Sequence, residues 1–297
     1  MEKMFTGVYP AVVTPFNSDG SYDFAAARKH IDWLIDNGIK GLCLMCAAGE
    51  YQSVSMEEHM AYVSEMVPYA RDRASVMVGA TRERPEDVVA LMRHAKTCGA
   101  HAAMVLPAFY YHMPQDEIVK HYAFIGDNVD LPIMVYNSPG SCGVLIEGET
   151  IDKLCALKNV RIVKETSCDM GNVTDTTGRV PAHVSVMCGC ENLLFESYAV
   201  GTCGWVSLVA NFLPKLALEF HHAMYEDRDY AKGLAIHRKL LPVMTFLENY
   251  PKTVQAAKYI VTAFAGIDVG KVRRPRYELS EAEKAYVVEK TRIKTLF

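Results

Sequence analysis

The chain has 297 residues, of which 50% are hydrophobic and 22% are charged, and its formal net charge is −4. This balance is typical of a soluble globular protein with a large core, and it argues against a polyanionic partner such as a nucleic acid. Apolar runs fall short of the roughly 20 residues that a membrane span requires, and the first residues lack the apolar region of a signal peptide. We therefore expect a cytoplasmic protein that neither binds nucleic acid nor enters a membrane.

Short apolar runs recur over the first two thirds of the chain. Many of them are apolar on both faces, which is typical of parallel strands in a sheet that is covered by helices. They predict eight strands, at residues 7–14, 41–46, 75–80, 102–107, 132–136, 160–164, 183–189 and 204–208.

Amphipathic stretches lie between the strands and predict helices. Ser55 followed by two glutamates, and Pro85 followed by two acids, are typical starts of a helix. After about residue 214 the strand pattern ends and only helical periodicity remains. The predicted helices are residues 24–35, 56–69, 85–97, 115–125, 147–156, 192–199, 216–225, 230–247, 253–264 and 280–292.

Eight strand–helix units favour a closed (β/α)₈ (TIM) barrel of the α/β class over an open doubly wound sheet, which usually has fewer strands and a glycine-rich nucleotide loop. We expect the barrel, with the active site, to occupy residues 1–225 and a C-terminal helical region to occupy residues 226–297. This appendage could pack against the barrel or against another subunit.

The nine cysteines are odd in number, scattered and mostly set in apolar runs. That pattern predicts reduced thiols used as small hydrophobic residues. Cys43 and Cys46 form a lone CxxC pair, but residues three apart on a strand face opposite sides, so we expect no metal there. The basic cluster at residues 271–276 is short and interrupted by Pro275, and it is interpreted as a solvated or interface-forming turn.

Barrel enzymes carry their chemistry at the C-terminal ends of the strands. Strand six ends in Lys164, and burial there would depress the lysine pKa and yield a neutral amine able to attack a carbonyl. Strand five ends in Tyr136, which could relay protons or merely plug the barrel. Small residues after strand two, Ala47 and Ala48, offer backbone N–H groups to a carboxylate. Glu50 is interpreted as a first-turn helix acid or a buried turn anchor rather than a general base.

These features suit Schiff-base chemistry on a 2-oxo acid, and the chain resembles the family of dihydrodipicolinate synthase and N-acetylneuraminate lyase. The resemblance covers nearly the whole chain. It is carried by the 14–16 segment, the Gly49-Glu50 pair, Tyr110-Tyr111, Tyr136-Asn137 with Pro139, Lys164-Glu165, Gly189, the 204–211 segment and the 272–275 segment.

The resemblance implies that Lys164 forms an imine, that Tyr136 relays protons and that the Ala47 and Ala48 amides bind the substrate carboxylate. Gly189 and Val206 would line the site. Tyr111 would be a catalytic residue that reaches a neighbouring subunit's site, which implies a homotetramer made of tight dimers. Tyr110 beside it would bind substrate. No metal or organic cofactor is implied.

Two departures from the family pattern bear on the substrate. Ala47 and Ala48 replace the usual hydroxyl residues, so the synthase's proton relay is incomplete. Ser141 stands where the synthase has an arginine for its second substrate's carboxylate, and a neutral hydroxyl cannot replace a bidentate guanidinium. We therefore expect a Schiff-base lyase acting on pyruvate or a related 2-oxo acid. The alternatives are the synthase itself, a sugar-acid dehydratase or aldolase, and a non-catalytic barrel that only binds an oxo acid.

Overall fold

The computed structural model describes residues 4–297 and contains eight parallel strands, as the sequence predicts. Most strands are shorter than predicted because the loops begin before the apolar run ends. Their bounds are β1 Gly7–Pro10, β2 Gly41–Leu44, β3 Ser75–Gly79, β4 Ala102–Val105, β5 Ile133–Asn137, β6 Val160–Glu165, β7 Ser185–Cys188 and β8 Gly204–Ser207.

The strands lie in the order β1-β8-β7-β6-β5-β4-β3-β2. A parallel bridge between Ala11 and Cys43 joins the ends of β1 and β2 and closes the sheet into a barrel. In the ladder between β5 and β6, Tyr136 pairs with Lys164, and Lys164 pairs with Met187 of β7. The backbone register therefore fixes the two residues side by side at the rim of the barrel. The predicted (β/α)₈ fold is confirmed.

The helices follow the predicted periodicity with two additions, α5 and α7. Ser55 forms a capping box with Glu58, and Pro85 occupies the first turn of its helix, as the sequence indicates. Their bounds are α1 Phe24–Asp36, α2 Met56–Ala70, α3 Pro85–Cys98, α4 Gln115–Asn128, α5 Pro139–Cys142, α6 Gly148–Cys155, α7 Met170–Arg179, α8 Leu194–Ala199, α9 Pro214–His221, α10 Tyr230–Asn249, α11 Thr253–Phe264 and α12 Glu281–Thr291.

The helices of the C-terminal region pack against the barrel. Leu240 and Val243 of α10, Ile260 of α11 and Val287 of α12 are fully buried in one hydrophobic cluster that also contains Trp205 of β8. Burial of this continuous apolar surface stabilises the appendage on the barrel. The division at residues 225 and 226 stays a prediction.

Among the described residues, no helix combines the length and the hydropathy that crossing a bilayer requires.

Candidate active site

A cavity of about 440 Å³ opens at the C-terminal end of the barrel. Seven of the residues proposed from the sequence line it: Ala47, Ala48, Tyr136, Ser141, Lys164, Gly189 and Val206. The cavity therefore brings together the candidate nucleophile, the candidate proton relay and the turn proposed to hold a carboxylate.

Lys164 is the central group of this cavity. Its side chain is buried, with only 8% of the residue exposed. The Nζ atom lies 4.0 Å from the centroid of the Tyr136 ring, within the range of a cation–π contact. The neighbouring Glu165 is buried and accepts hydrogen bonds from Asn137 Nδ2 at 2.9 Å and from Ser167 N at 2.8 Å. These bonds hold the ends of β5 and β6 together beneath the pair.

The expectation that burial leaves Lys164 with a depressed pKa is wrong. Burial is the largest single influence on Lys164 and lowers its pKa, but Tyr136, Cys46 and Cys43 together outweigh it and raise the pKa above its usual value. The sequence pattern shows that the amine is buried, whereas the phenol and the thiols that surround it are visible only in the fold. A raised pKa means that the amine holds its proton more tightly, and it must lose that proton before it attacks a carbonyl.

The expectation that Cys43 and Cys46 face opposite sides is also wrong. Both belong to the cluster of buried residues inside the barrel. The strand ends at Leu44, and Met45 adopts a left-handed conformation with a φ of 52°. This turn breaks the alternation of the strand and directs both thiols inward.

A short 3₁₀ helix, Ala47–Gly49, forms the wall of the cavity after β2. The first N–H groups of a helical turn have no partner within it and can donate to an anion. Glu50 follows and is fully buried; its Oε1 lies 3.1 Å from Lys258 Nζ, and its Oε2 accepts from Arg273 N at 2.9 Å. Glu50 thus anchors this turn to the C-terminal region, as one of its two interpretations from the sequence proposes.

Gly189 allows the closest approach of the backbone to the amine. A Cβ atom there would lie 2.7 Å from Lys164 Cε and 3.0 Å from Glu165 O, and it would overlap Thr166 Oγ1. The Thr166 hydroxyl is buried, lines the cavity and has no hydrogen-bond partner among the described residues. Because Gly189 has no side chain, it leaves space for Lys164. The Thr166 hydroxyl is available to form a hydrogen bond beside the lysine.

Ser141 lies in the short helix α5, which follows β5. Its Oγ accepts a hydrogen bond from Ser138 Oγ at 2.9 Å. A second cavity of about 130 Å³ shares Ser141, Tyr136 and Ala47 with the first and continues between apolar residues such as Met104 and Leu106. The part of the cavity wall that Ser141 forms therefore carries no charge.

Tyr110 and Tyr111 do not line the cavity of this single chain. They lie in the loop after β4, 75% and 79% exposed, with their ring centroids 4.9 Å apart in an edge-to-face contact. The carboxylate of Glu83 accepts the backbone N–H of Tyr110 at 3.0 Å and holds the loop. Their roles stay predictions that require a second chain.

Two acidic residues of the cavity were missed from the sequence. Glu191 is buried and accepts from Ser207 Oγ, Leu208 N and Val209 N at 2.7–3.0 Å. Burial and the nearby Glu248 raise the pKa of Glu191 to about 7. Burial likewise raises the pKa of Glu248. The position of Glu191, three residues after the end of β7, was a usable signal in the sequence. Glu248 lies on α10, and its position in the sequence gave no such signal.

Arg276 is a further missed residue and the cation of the basic cluster that reaches the cavity. Its Nη1 donates to Ser53 Oγ at 3.3 Å. Arg273, in the same cluster, forms an ion pair with Glu58 of α2 at 2.5 Å. The segment is thus bound to the barrel around the loop that follows β2, and it is neither wholly solvated nor free.

The expectation that all cysteines are reduced is wrong for one pair. Cys168, in the loop after β6, and Cys190, in the loop after β7, form a disulfide with a Cα–Cα distance of 5.5 Å. The pairing depends on two loops that meet only in the folded barrel, so the spacing along the chain gave no sign of it. The other seven cysteines are free thiols.

The whole chain is similar to one protein family. The model of the dihydrodipicolinate synthetase family matches residues 4–294. A 4-hydroxy-tetrahydrodipicolinate synthase of Methanocaldococcus jannaschii is 32% identical over 284 residues, which is 95% of this chain and 96% of that protein. A protein of the same name from Roseobacter denitrificans is 32% identical over 286 residues, 96% of each chain.

Solved structures give the same result. The dihydrodipicolinate synthase of Thermotoga maritima superposes with a TM-score of 0.92 at 28% identity and covers 99% of this chain and 100% of its own. A prophage protein of the dihydrodipicolinic acid synthase family from E. coli K12, solved in complex with pyruvate, superposes with a TM-score of 0.92 at 26% identity and covers 99% of both chains. The chain belongs to the dihydrodipicolinate synthetase family.

Proposed function

We propose that the protein is a class I lyase that forms a Schiff base between Lys164 and pyruvate or a related 2-oxo acid. The observation that carries the proposal is the burial of Lys164 against Tyr136 in a cavity at the C-terminal end of the barrel. A buried amine beside a phenol can exchange a proton with it and attack a ketone. The family of the chain and the pyruvate bound to the E. coli relative support the same chemistry.

The reaction begins when the Lys164 ammonium loses a proton, and Tyr136 is the group placed to carry it. The amine adds to the ketone carbon, and water leaves as the imine forms. The protonated imine withdraws electrons from the adjacent carbon, so a C–C bond there can break or form, or water can be eliminated. Hydrolysis of the imine then releases the oxo acid and restores the lysine.

The substrate carboxylate is proposed to bind the N–H groups of Ala47 and Ala48, at the start of the 3₁₀ turn. Gly189 leaves the space in which the imine carbon lies, and Val206 forms an apolar wall with 3% of its surface exposed. Thr166 supplies a hydroxyl beside the amine. These groups bind and orient the oxo acid without a metal or organic cofactor.

A second candidate is 4-hydroxy-tetrahydrodipicolinate synthase itself. The name of the curated relatives favours it. The neutral wall at Ser141 counts against it, because loss of a charged contact to a substrate carboxylate costs on the order of 2 to 5 kcal/mol. Supplying pyruvate with aspartate semialdehyde separates the two: condensation at the rate of an ordinary enzyme supports the synthase, and its absence supports a different second substrate.

We also propose a cytoplasmic homotetramer made of two tight dimers. Support comes from Tyr110 and Tyr111, which form a large exposed aromatic pair on the loop after β4. In the proposed dimer, Tyr111 reaches the cavity of the neighbouring chain. Light scattering of the wild type and of the Tyr111→Ala variant measures the assembly, and a wild-type monomer with full activity would contradict this proposal.

Borohydride trapping tests the Schiff base directly. With saturating pyruvate, borohydride should add one reduced pyruvate to the chain, and peptide mapping should place it on Lys164. Lys164→Ala should abolish both the adduct and turnover. Lys120→Ala, which changes an exposed lysine on α4, is the matched control and should trap normally. An unmodified Lys164 in the wild type would overturn the proposal.

A trapped adduct without turnover on any substrate of a panel of 2-oxo acids would favour the non-catalytic binding barrel instead. Turnover of 3-deoxy-2-oxo sugar acids would identify the protein as a sugar-acid dehydratase or aldolase within the same proposal.

A further inference from the structure

Three potential metal ligands meet at the rim of the cavity. The Sγ atoms of Cys168 and Cys190 and a carboxylate oxygen of Glu248 all lie within 4.8 Å of one another. They come from three separate parts of the chain, namely the loops after β6 and β7 and helix α10. Cys168 and Glu248 line the cavity that contains Lys164.

The disulfide between Cys168 and Cys190 does not explain why Glu248 lies beside them. A disulfide needs no carboxylate beside its sulfur atoms, yet Glu248 lies next to them. Ligand atoms on a tetrahedral zinc ion lie about 2.0–2.3 Å from the metal. Two ligand atoms of one ion are therefore closer together than 4.8 Å, the distance within which the three atoms of this cluster lie. A Cα–Cα distance of 5.5 Å between the cysteines lets the thiolates turn toward a shared ion once the sulfur–sulfur bond is broken.

We propose that the reduced protein binds a zinc-class divalent cation through Cys168, Cys190 and Glu248. A thiol or phosphine reductant supplies two electrons that cleave the disulfide, and two protons yield two thiols. Binding of the cation releases these two protons, because thiolates are the ligands. Disulfide and metal site are thus alternative states of one pair of cysteines, and the redox state selects between them.

The surroundings of Glu248 suit a ligand. The backbone N–H of Glu191 donates to Glu248 Oε1 at 2.7 Å. Ligating carboxylates are commonly held by such a hydrogen bond, which fixes their orientation and leaves the second oxygen for the metal. Two thiolates and a carboxylate favour zinc over magnesium or calcium, which prefer all-oxygen sites.

The site would regulate access to the cavity. Cys168 and Glu248 line the same cavity as Lys164, so a cation that they hold would occupy space needed by a 2-oxo acid, and three protein ligands leave a fourth coordination position open. Bound metal should therefore slow imine formation at Lys164. This effect rests on the proposed function, whereas metal binding does not.

Cobalt(II) is the probe that tests binding independently of activity. After treatment with a phosphine reductant and its removal, titration with Co²⁺ should give one equivalent bound and thiolate-to-cobalt charge-transfer absorption in the near ultraviolet. The oxidised protein should show no such absorption. Cys168→Ser, Cys190→Ser and Glu248→Gln should each weaken Co²⁺ binding at least about tenfold.

Cys98→Ser is the matched control because Cys98 is the other thiol that is partly exposed. It lies beside His94 on α3, and its removal should leave Co²⁺ binding unchanged. Thermal unfolding of every variant verifies folding. Co²⁺ absorption that survives in both cysteine variants, or none in the reduced wild type, would overturn the metal site.

Borohydride trapping with pyruvate then measures the effect on the active site. Trapping in the reduced wild type should slow about tenfold or more when Zn²⁺ saturates the site, and a chelator should restore it. Normal trapping by the zinc-loaded protein would overturn the regulatory role. Failure of trapping without any metal would instead count against the Schiff-base function.

Discussion

Lys164 Nζ lies 4.0 Å from the centre of the Tyr136 ring, and the two residues are paired in the ladder between neighbouring strands. The contact is therefore fixed by backbone hydrogen bonds rather than by a mobile loop. A register shift of one residue would turn either side chain to the other face of the sheet. Hydrogen bonds from Asn137 and Ser167 to Glu165 support the same strand ends.

Tyr136→Phe should separate imine formation from proton transfer. The ring keeps its contact with Lys164, but the hydroxyl that carries the proton is lost. We expect turnover to fall about 100-fold to 10,000-fold, the usual contribution of a general acid or base, while borohydride still traps pyruvate on Lys164.

Tyr122→Phe is the control, since this buried tyrosine donates to Val105 O and does not line the cavity. It should keep its turnover. A Tyr136→Phe enzyme that turns over normally would show that the phenol is only a packing group.

Gly189→Ala should slow imine formation at Lys164 without unfolding the barrel. The new methyl group would lie 2.7 Å from Lys164 Cε, so the amine must move. A displacement of this kind in an active site reduces the rate about 100-fold, and the rate of borohydride trapping measures it. Gly178→Ala is the matched control, because nothing lies within 4 Å of its Cβ position. Equal trapping by both variants would contradict the close approach at Gly189.

Glu191 should make stability depend on pH. Its pKa rises from 4.5 in the unfolded chain to about 7 in the fold, mainly through burial. The folded protein therefore keeps a proton that the unfolded chain has lost, and the free energy of unfolding falls as the pH rises from about 4.5 to about 7. The loss is on the order of 3 kcal/mol, because a tenfold change in a protonation equilibrium corresponds to about 1.4 kcal/mol.

Urea unfolding across this range checks the slope. Glu191→Gln keeps an acceptor for Ser207, Leu208 and Val209 but cannot ionise, so its stability should change less with pH than that of the wild type. Identical pH profiles for the two proteins would rule out a raised pKa at Glu191.

Glu50→Gln should destabilise the protein strongly. It leaves the buried Lys258 ammonium without its counter-charge, and breaking a buried pair in this way costs about 3–5 kcal/mol. Glu65→Gln is the matched control; it breaks an exposed pair with Arg28, which should contribute about 1 kcal/mol or less. The midpoints of urea unfolding compare the two, and similar small losses would show that Glu50 is not an anchor.

The strands and the residues at their ends could be predicted from the sequence because both follow local patterns. Apolar runs mark buried parallel strands, and the last residue of each run marks the rim where Lys164 and Tyr136 lie. Helix α7 was not predicted, because its sequence contains two glycines and few apolar residues and the helix buries only Val173 and Thr176. The segment therefore lacks the apolar content that marks the other helices.

The electrostatics of the site could not be predicted because they depend on groups distant in sequence. Cys43 and Cys46 contribute to the raised pKa of Lys164 although more than a hundred residues separate them from it. Arg276 and Glu248 reach the cavity from the C-terminal region, where no strand end points to them. Cys168 and Cys190 meet only because neighbouring strands place their loops side by side.

The buried Lys258 has a consequence for the synthesis of the protein. Its ammonium donates to Thr14 O at 2.7 Å and pairs with Glu50, so it joins the loops that follow the first two strands. A nascent chain that has emerged only through the eighth strand lacks this cation and leaves the Glu50 carboxylate uncompensated. The Glu50–Lys258 ion pair can therefore form only after α11 has been synthesised, whereas Ala47, Ala48 and Lys164 are made earlier.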